Sequence, residues 1–67
     1  MYSAYQGGNS AGIVIKKAES ESEALKKLSE WFEQNNYEVI ELTDTHVLIR
    51  FMGSIARYTV KKITIVI

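Results

Sequence analysis

The 67-residue sequence predicts an α+β fold in two layers, β-α-β-β-β, with one helix packed on a mainly antiparallel four-stranded sheet. Three observations carry that expectation. A stretch of helical period follows a capping sequence at Ser20, a β-branched run stands before it, and everything from Tyr37 onward alternates with period two between turn residues.

The first twelve residues are small, polar and glycine-rich, with Gly7, Gly8 and Gly12 clustered ahead of the first β-branched run. They read as a flexible arm, 1 to 12, and the glycines do not form a phosphate loop because they precede a strand rather than a helix start. The single α+β domain is expected over 13 to 67. Ile13, Val14 and Ile15 read as its first strand, joined to a parallel neighbour by a right-handed crossover.

Ser20 with Glu23 three residues later forms a capping box, and Glu19, Glu21 and Glu23 lie where a helix dipole favours negative charge. Leu25, Leu28 and Phe32 then recur at helical spacing, with Ala24 and Trp31 widening the stripe and Lys26, Lys27, Glu30 and Glu33 on the other side. Asn35 and Asn36 tolerate the left-handed conformation that ends a helix, so Tyr37 begins an extended run.

Three strands follow. A two-residue turn at Thr43 and Asp44 sets Leu42 opposite Thr45 and Ile40 opposite Val47; a second at Gly53 and Ser54 sets Ile49 opposite Tyr58. Together they gather Ile40, Leu42, Val47, Ile49, Ala56 and Val60 on the face the helix covers. The other face then holds Tyr37, Val39, Leu48, Arg50, Met52, Ile55, Arg57 and Lys61, an apolar centre with a charged and aromatic rim, which is the make-up of a partner-binding surface. Past Val60 the apolar parity flips, so a bulge is expected near Lys61 or Lys62. Ile63, Ile65 and Ile67 overrun the hairpin and form a candidate oligomer strand, open to strand addition.

Composition narrows the function classes. Eight basic and eight acidic side chains cancel, so nucleic acid is a lesser expectation than protein, and a net charge of zero favours self-association into a homo-oligomer. With no cysteine and one histidine, neither a metal site nor a cofactor is expected. No apolar run is long enough to span a bilayer and no tripartite leader is present, which points to a cytoplasmic protein with no membrane partner.

His46 is the one candidate for chemistry, set by the predicted register beside Glu41 and Lys61. The ordinary role for it is a surface histidine paired with a glutamate. The stretch from Glu33 to Phe51, with a helix end, an aromatic at Tyr37, a strand, a turn and His46 opening the next strand, resembles the core of the small HicA-type messenger-RNA interferases. That resemblance implies a double-stranded-RNA-binding-domain-like fold and an RNA-binding or RNA-cleaving module, with His46 the counterpart of the catalytic histidine and Asp44 and Thr45 replacing the family's Gly-Ser. The residues as a whole favour a non-enzymatic protein-binding module. By analogy of size and topology alone, it is comparable to the inhibitors of phages and mobile elements, anti-CRISPR proteins among them.

Overall fold

The computed structural model describes residues 1 to 63. In chain order these form β1 (Tyr2–Gln6), β2 (Asn9–Ile15), α1 (Glu21–Gln34), β3 (Glu38–Leu42), β4 (Val47–Phe51) and β5 (Ser54–Lys62). The α+β expectation holds, with a correction to its layout. The sheet has five strands in the order β2-β1-β5-β4-β3, every pair antiparallel, and the element order is β-β-α-β-β-β.

The additional strand lies where an arm was expected. Gln6 pairs with Asn9, so Gly7 and Gly8 make a two-residue turn, and Gly7 takes φ +62° as the first position of a type II′ hairpin requires. Residues 1 to 12 therefore hold β1 and the start of β2, and the buried Tyr2 and Ala4 belong to the core. The run Ile13 to Ile15 is the end of β2, at the sheet edge beside β1, and the described residues form no parallel crossover.

The helix follows its sequence signals closely. The Ser20 hydroxyl accepts the Glu23 N–H at 3.2 Å, while the Glu23 carboxylate reaches back to the Glu19 N–H at 3.4 Å, one residue earlier than a capping box would have it. Ala24, Leu25, Leu28 and Phe32 are buried against the sheet. At the other end Asn36 adopts φ +66°, its N–H donates to the Glu33 carbonyl at 3.2 Å, and the Tyr37 N–H donates to the Phe32 carbonyl at 2.9 Å. This is a Schellman motif, completed by the Tyr37 and Phe32 rings 5.1 Å apart.

Both turns of the meander move by small steps from the expected register. Leu42 pairs with Val47, leaving a four-residue loop from Thr43 to His46 in place of a two-residue turn. Phe51 pairs with Ser54, so Met52 and Gly53 form the second turn, with φ +51° and +81°, both positive as in type I′. The β4–β5 shift is two residues, and side chains alternate with period two, so the faces are unchanged. Val47, Ile49 and Val60 are buried under the helix, and Ala56 and Tyr58 pack on them.

One strand does change face. Val39 pairs with Ile49 and Glu41 with Leu48, which makes Ile40 an extra residue bulged out of β3. The slip of one residue turns Val39, with Tyr37 ahead of it, to the helix side, where both pack on the core. No bulge interrupts β5, which pairs with β1 in unbroken register from Tyr58 to Lys62. The second irregularity lies in β2 between Ser10 and Val14, where Gly12 takes φ +73°.

β5 is the strand that joins two half-sheets. Its residues 54 to 58 pair with β4 on one side, and residues 58 to 62 pair with β1 on the other. The Ile63 N–H donates to the Met1 carbonyl at 2.9 Å, which extends the β1 pairing by one step. Of the candidate oligomer strand, Ile65 and Ile67 lie outside the described residues.

Candidate functional site

The helix covers one face of the sheet, and the opposite face carries no second layer among the described residues. Its spine is the outward row of β5, where Ile55, Arg57, Thr59 and Lys61 alternate with the buried positions. Cross-strand pairing gives each a neighbour: Ile55 lies opposite Arg50, Arg57 opposite Leu48, Thr59 opposite Tyr5 and Lys61 opposite Ser3.

Five of the eight expected partner-binding residues, Leu48, Arg50, Ile55, Arg57 and Lys61, fall on this face. Ile55 is 60% exposed there. Met52 sits at the tip of the adjoining turn, 88% exposed. Tyr37 and Val39 are placed elsewhere, because the Ile40 bulge turns them under the helix. There the Tyr37 ring stacks on Phe51 at 4.4 Å and lies 6.4 Å from Trp31, closing that end of the core with aromatic area.

The charges of the face are unevenly committed. Arg50 donates to the Glu38 carboxylate at 2.9 Å, an exposed pair worth at most ~1 kcal/mol. The Lys61 ammonium lies over the Tyr5 ring, 5.2 Å from its centroid. Among the described residues, neither Lys61 nor Arg57 pairs with a carboxylate.

His46 lies in the β3–β4 loop with both ring nitrogens engaged. Nε2 contacts the Glu41 carboxylate at 3.0 Å, and Nδ1 meets the Thr43 and Thr45 hydroxyls at 3.2 and 3.3 Å. The Thr43 hydroxyl also accepts the N–H groups of Thr45 and His46, both at 3.2 Å, and the Thr43 N–H donates to the His46 carbonyl at 2.9 Å. These bonds give the loop its four-residue shape, with the imidazole as a staple between loop and strand. The expected contact with Glu41 is present, whereas Lys61 sits over Tyr5 instead. A hydroxyl and a carboxylate on opposite nitrogens resemble a proton relay, but the loop residues Thr43 to His46 carry the acid Asp44 and no lysine or arginine to hold a phosphodiester.

The fold shifts the acidity of Tyr58. Burial, and after it the neighbouring Tyr37, raises its phenol above the ordinary value of about 10. Its hydroxyl donates to the Gln6 side-chain oxygen at 3.2 Å, tying β5 to β1. A phenol whose folded-state pKa is raised contributes stability that is fully present below about pH 10 and lost as pH rises through the higher folded value. Urea midpoints are therefore expected to fall above about pH 10, and Tyr58→Phe to remove part of that fall; an unchanged alkaline decline in the variant would assign it to other groups.

A cleft between the start of α1 and the β3–β4 loop is lined by Ser20, Glu23, Lys26, Leu42, Thr43 and Asp44, whose charges are of both signs. The described residues contain no cluster of three metal-ligating side chains, and no helix among them is long and apolar enough to cross a membrane. No protein-family model, curated protein or solved structure matches the chain. None of these comparisons supports the likeness to the interferases.

Tyr5 and Ser3 are the members of this face that sequence reasoning passes over as sheet residues. Their signal was the Gly7–Gly8 pair with a tyrosine-bearing run on its N-terminal side, which marks a hairpin and so places Tyr5 on a strand.

Proposed function

We propose that this chain is a small non-enzymatic protein-binding module that self-associates through the β4–β5 end of its open sheet face. The observation that carries the reading is Met52. A type I′ turn favours asparagine or glycine at this position, yet a methionine stands there at φ +51° with its side chain 88% exposed. An L-residue in that conformation costs on the order of 1–2 kcal/mol, and a side chain 88% exposed gains little burial among the described residues to offset it. With Ile55 and Leu48 it makes an apolar centre flanked by Arg50 and Arg57, and methionine and arginine are both enriched in protein interfaces.

Two further features support the face over the strand edges. β2 and β3, the outermost strands, each carry a bulge, a device that discourages pairing with another chain. The net charge of zero leaves no overall repulsion between copies.

Size-exclusion with light scattering tests the proposal. The intact chain is expected to run larger than a monomer, and Ile55→Asp to run as a monomer with its circular dichroism unchanged. Met52→Asn is expected to separate two quantities that usually move together: it stabilises the fold by about 1 kcal/mol through turn relief and weakens association at the same time. A chain ending at Lys62 distinguishes the face from the tail, since only a tail-mediated assembly through Ile63, Ile65 and Ile67 is lost on truncation. An intact chain that is monomeric at every concentration would remove self-association.

A further inference from the structure

The neutral total conceals a strong separation of charge along the chain. All eight carboxylates lie between Glu19 and Asp44, a stretch that also holds Lys26 and Lys27 and so carries −8 + 2 = −6. The residues before and after it hold the other six cations and no carboxylate, +6 in all. In the fold the acidic stretch is α1, β3 and their flanking loops, whereas β2, β1, β5 and β4 contain no acidic residue. The open face thus has its two carboxylates, Glu38 and Glu41, on the far edge strand, each already paired with Arg50 or His46.

The acid-free part has an internal order. Tyr5 lies opposite Thr59 on the outer face, and Arg57 and Lys61 stand two residues to either side of Thr59 on the same strand. At ~3.3 Å per residue the two cations are ~13 Å apart, with an aromatic ring on the neighbouring strand between them. Beyond Lys61, Lys62 pairs with Tyr2, which also pairs with Ile15, so Lys16 and Lys17 leave β2 at the same end of the sheet. A line of positive charge runs from Arg57 to that end.

We propose that the β1–β5 half of the open sheet face binds single-stranded nucleic acid, with the Tyr5 ring stacking a base while Arg57 and Lys61 hold the phosphates on either side of it. A base has a flat face for Tyr5, and its backbone supplies the anions that the unpaired cations lack. The Lys61 ammonium now over the Tyr5 ring is on a flexible, exposed side chain and moves to a phosphate as the base takes its place. The small, polar Thr59, half-buried between Arg57 and Lys61, lets a chain lie close to the sheet. Tyr5 and Lys61 lie away from the Met52 end while Arg57 borders both regions, so Tyr5→Ala is the variant that separates nucleic-acid binding from self-association.

The test is fluorescence anisotropy of a labelled oligouridine of about a dozen nucleotides. The intact chain is expected to bind with Kd on the order of 10–100 µM at low salt. Two phosphate contacts at −0.7 each give a slope of about −1.4 in log affinity against log salt. Tyr5→Ala is expected to weaken binding about tenfold and Tyr5→Phe to retain it, while Arg57→Glu, at an exposed position, reduces it at least as far even should Tyr5→Ala fail to fold. Ile55→Ser, which removes apolar area from the proposed assembly face without adding a charge beside Arg57, is expected to bind oligouridine as the intact chain does. Equal binding of duplex RNA, displacement by polyglutamate at equal charge, or full binding by a folded Arg57→Glu would each overturn the proposal, the second by pointing to an acidic protein surface or another copy of the chain.

Discussion

A chain that begins at Asn9 is expected not to fold, giving the circular dichroism and urea response of an unfolded peptide. Deleting the first eight residues removes β1, which stands between β2 and β5 in the sheet. β2 would lose the only strand it pairs with among the described residues, and β5 would lose its partner from Tyr58 to Lys62. Tyr2 and Ala4, 6% and 0% exposed, would leave the core and uncover Val60, which faces Ala4. Burying a tyrosine-sized side chain is worth ~1.5–3 kcal/mol, before any hydrogen bond is counted. A 67-residue chain has a total stability on the order of 3–10 kcal/mol, so losing a whole inner strand is expected to exceed it. Were residues 1 to 8 a loose arm, the shortened chain would keep its cooperative transition.

The second large effect is expected at Phe32. It is 1% exposed, sits in the last turn of α1, and its ring centroid lies 4.8 Å from that of Tyr58 and 5.1 Å from that of Tyr37, with Trp31 at its edge. It joins the helix to both ends of the meander. Phe32→Ala is expected to cost ~3–5 kcal/mol, through lost transfer energy and the cavity left among three rings that cannot collapse together. The measurement is a urea titration, in which the unfolding free energy should fall by ~3–5 kcal/mol relative to the intact chain. Phe32→Leu, keeping most of the volume, is expected to cost less than half as much. A loss below 1 kcal/mol for the alanine variant would mean that the aromatic cluster is not what closes this end of the core.

The helix was legible because its signals are local. Ser20, Glu23, the spacing of Leu25, Leu28 and Phe32, and the Asn35–Asn36 pair each act within a few residues, and each acts in the structure much as its chemistry suggests. The faces of β4 and β5 were legible for a related reason: a two-residue error in a turn leaves side-chain alternation intact. The loop from Thr43 to His46 was not, because its shape depends on the Thr43 hydroxyl gathering two N–H groups, which no two-residue turn template includes. Val39 and Ile40 are equally apolar, so nothing in their pattern said which would bulge, and the expected roles of Tyr37 and Val39 fell with that choice. β1 escaped notice because Ser3 and Ala4 are small and carry little alternation, while two adjacent glycines suggested freedom where they form a turn. The separation of charge was present in the sequence throughout, hidden by a sum of zero.

The pairing of Tyr2 with Lys62 also has a consequence in time. β1 completes its hydrogen bonding with β5, the last strand described, so nearly all of the described residues must leave the ribosome before the sheet can close. Contacts this far apart in sequence carry a large loop-closure penalty and slow the search for the native state. Until then the N-terminal hairpin waits with its tyrosines uncovered, and folding of the nascent chain is expected to finish only after Lys62 has left the exit tunnel.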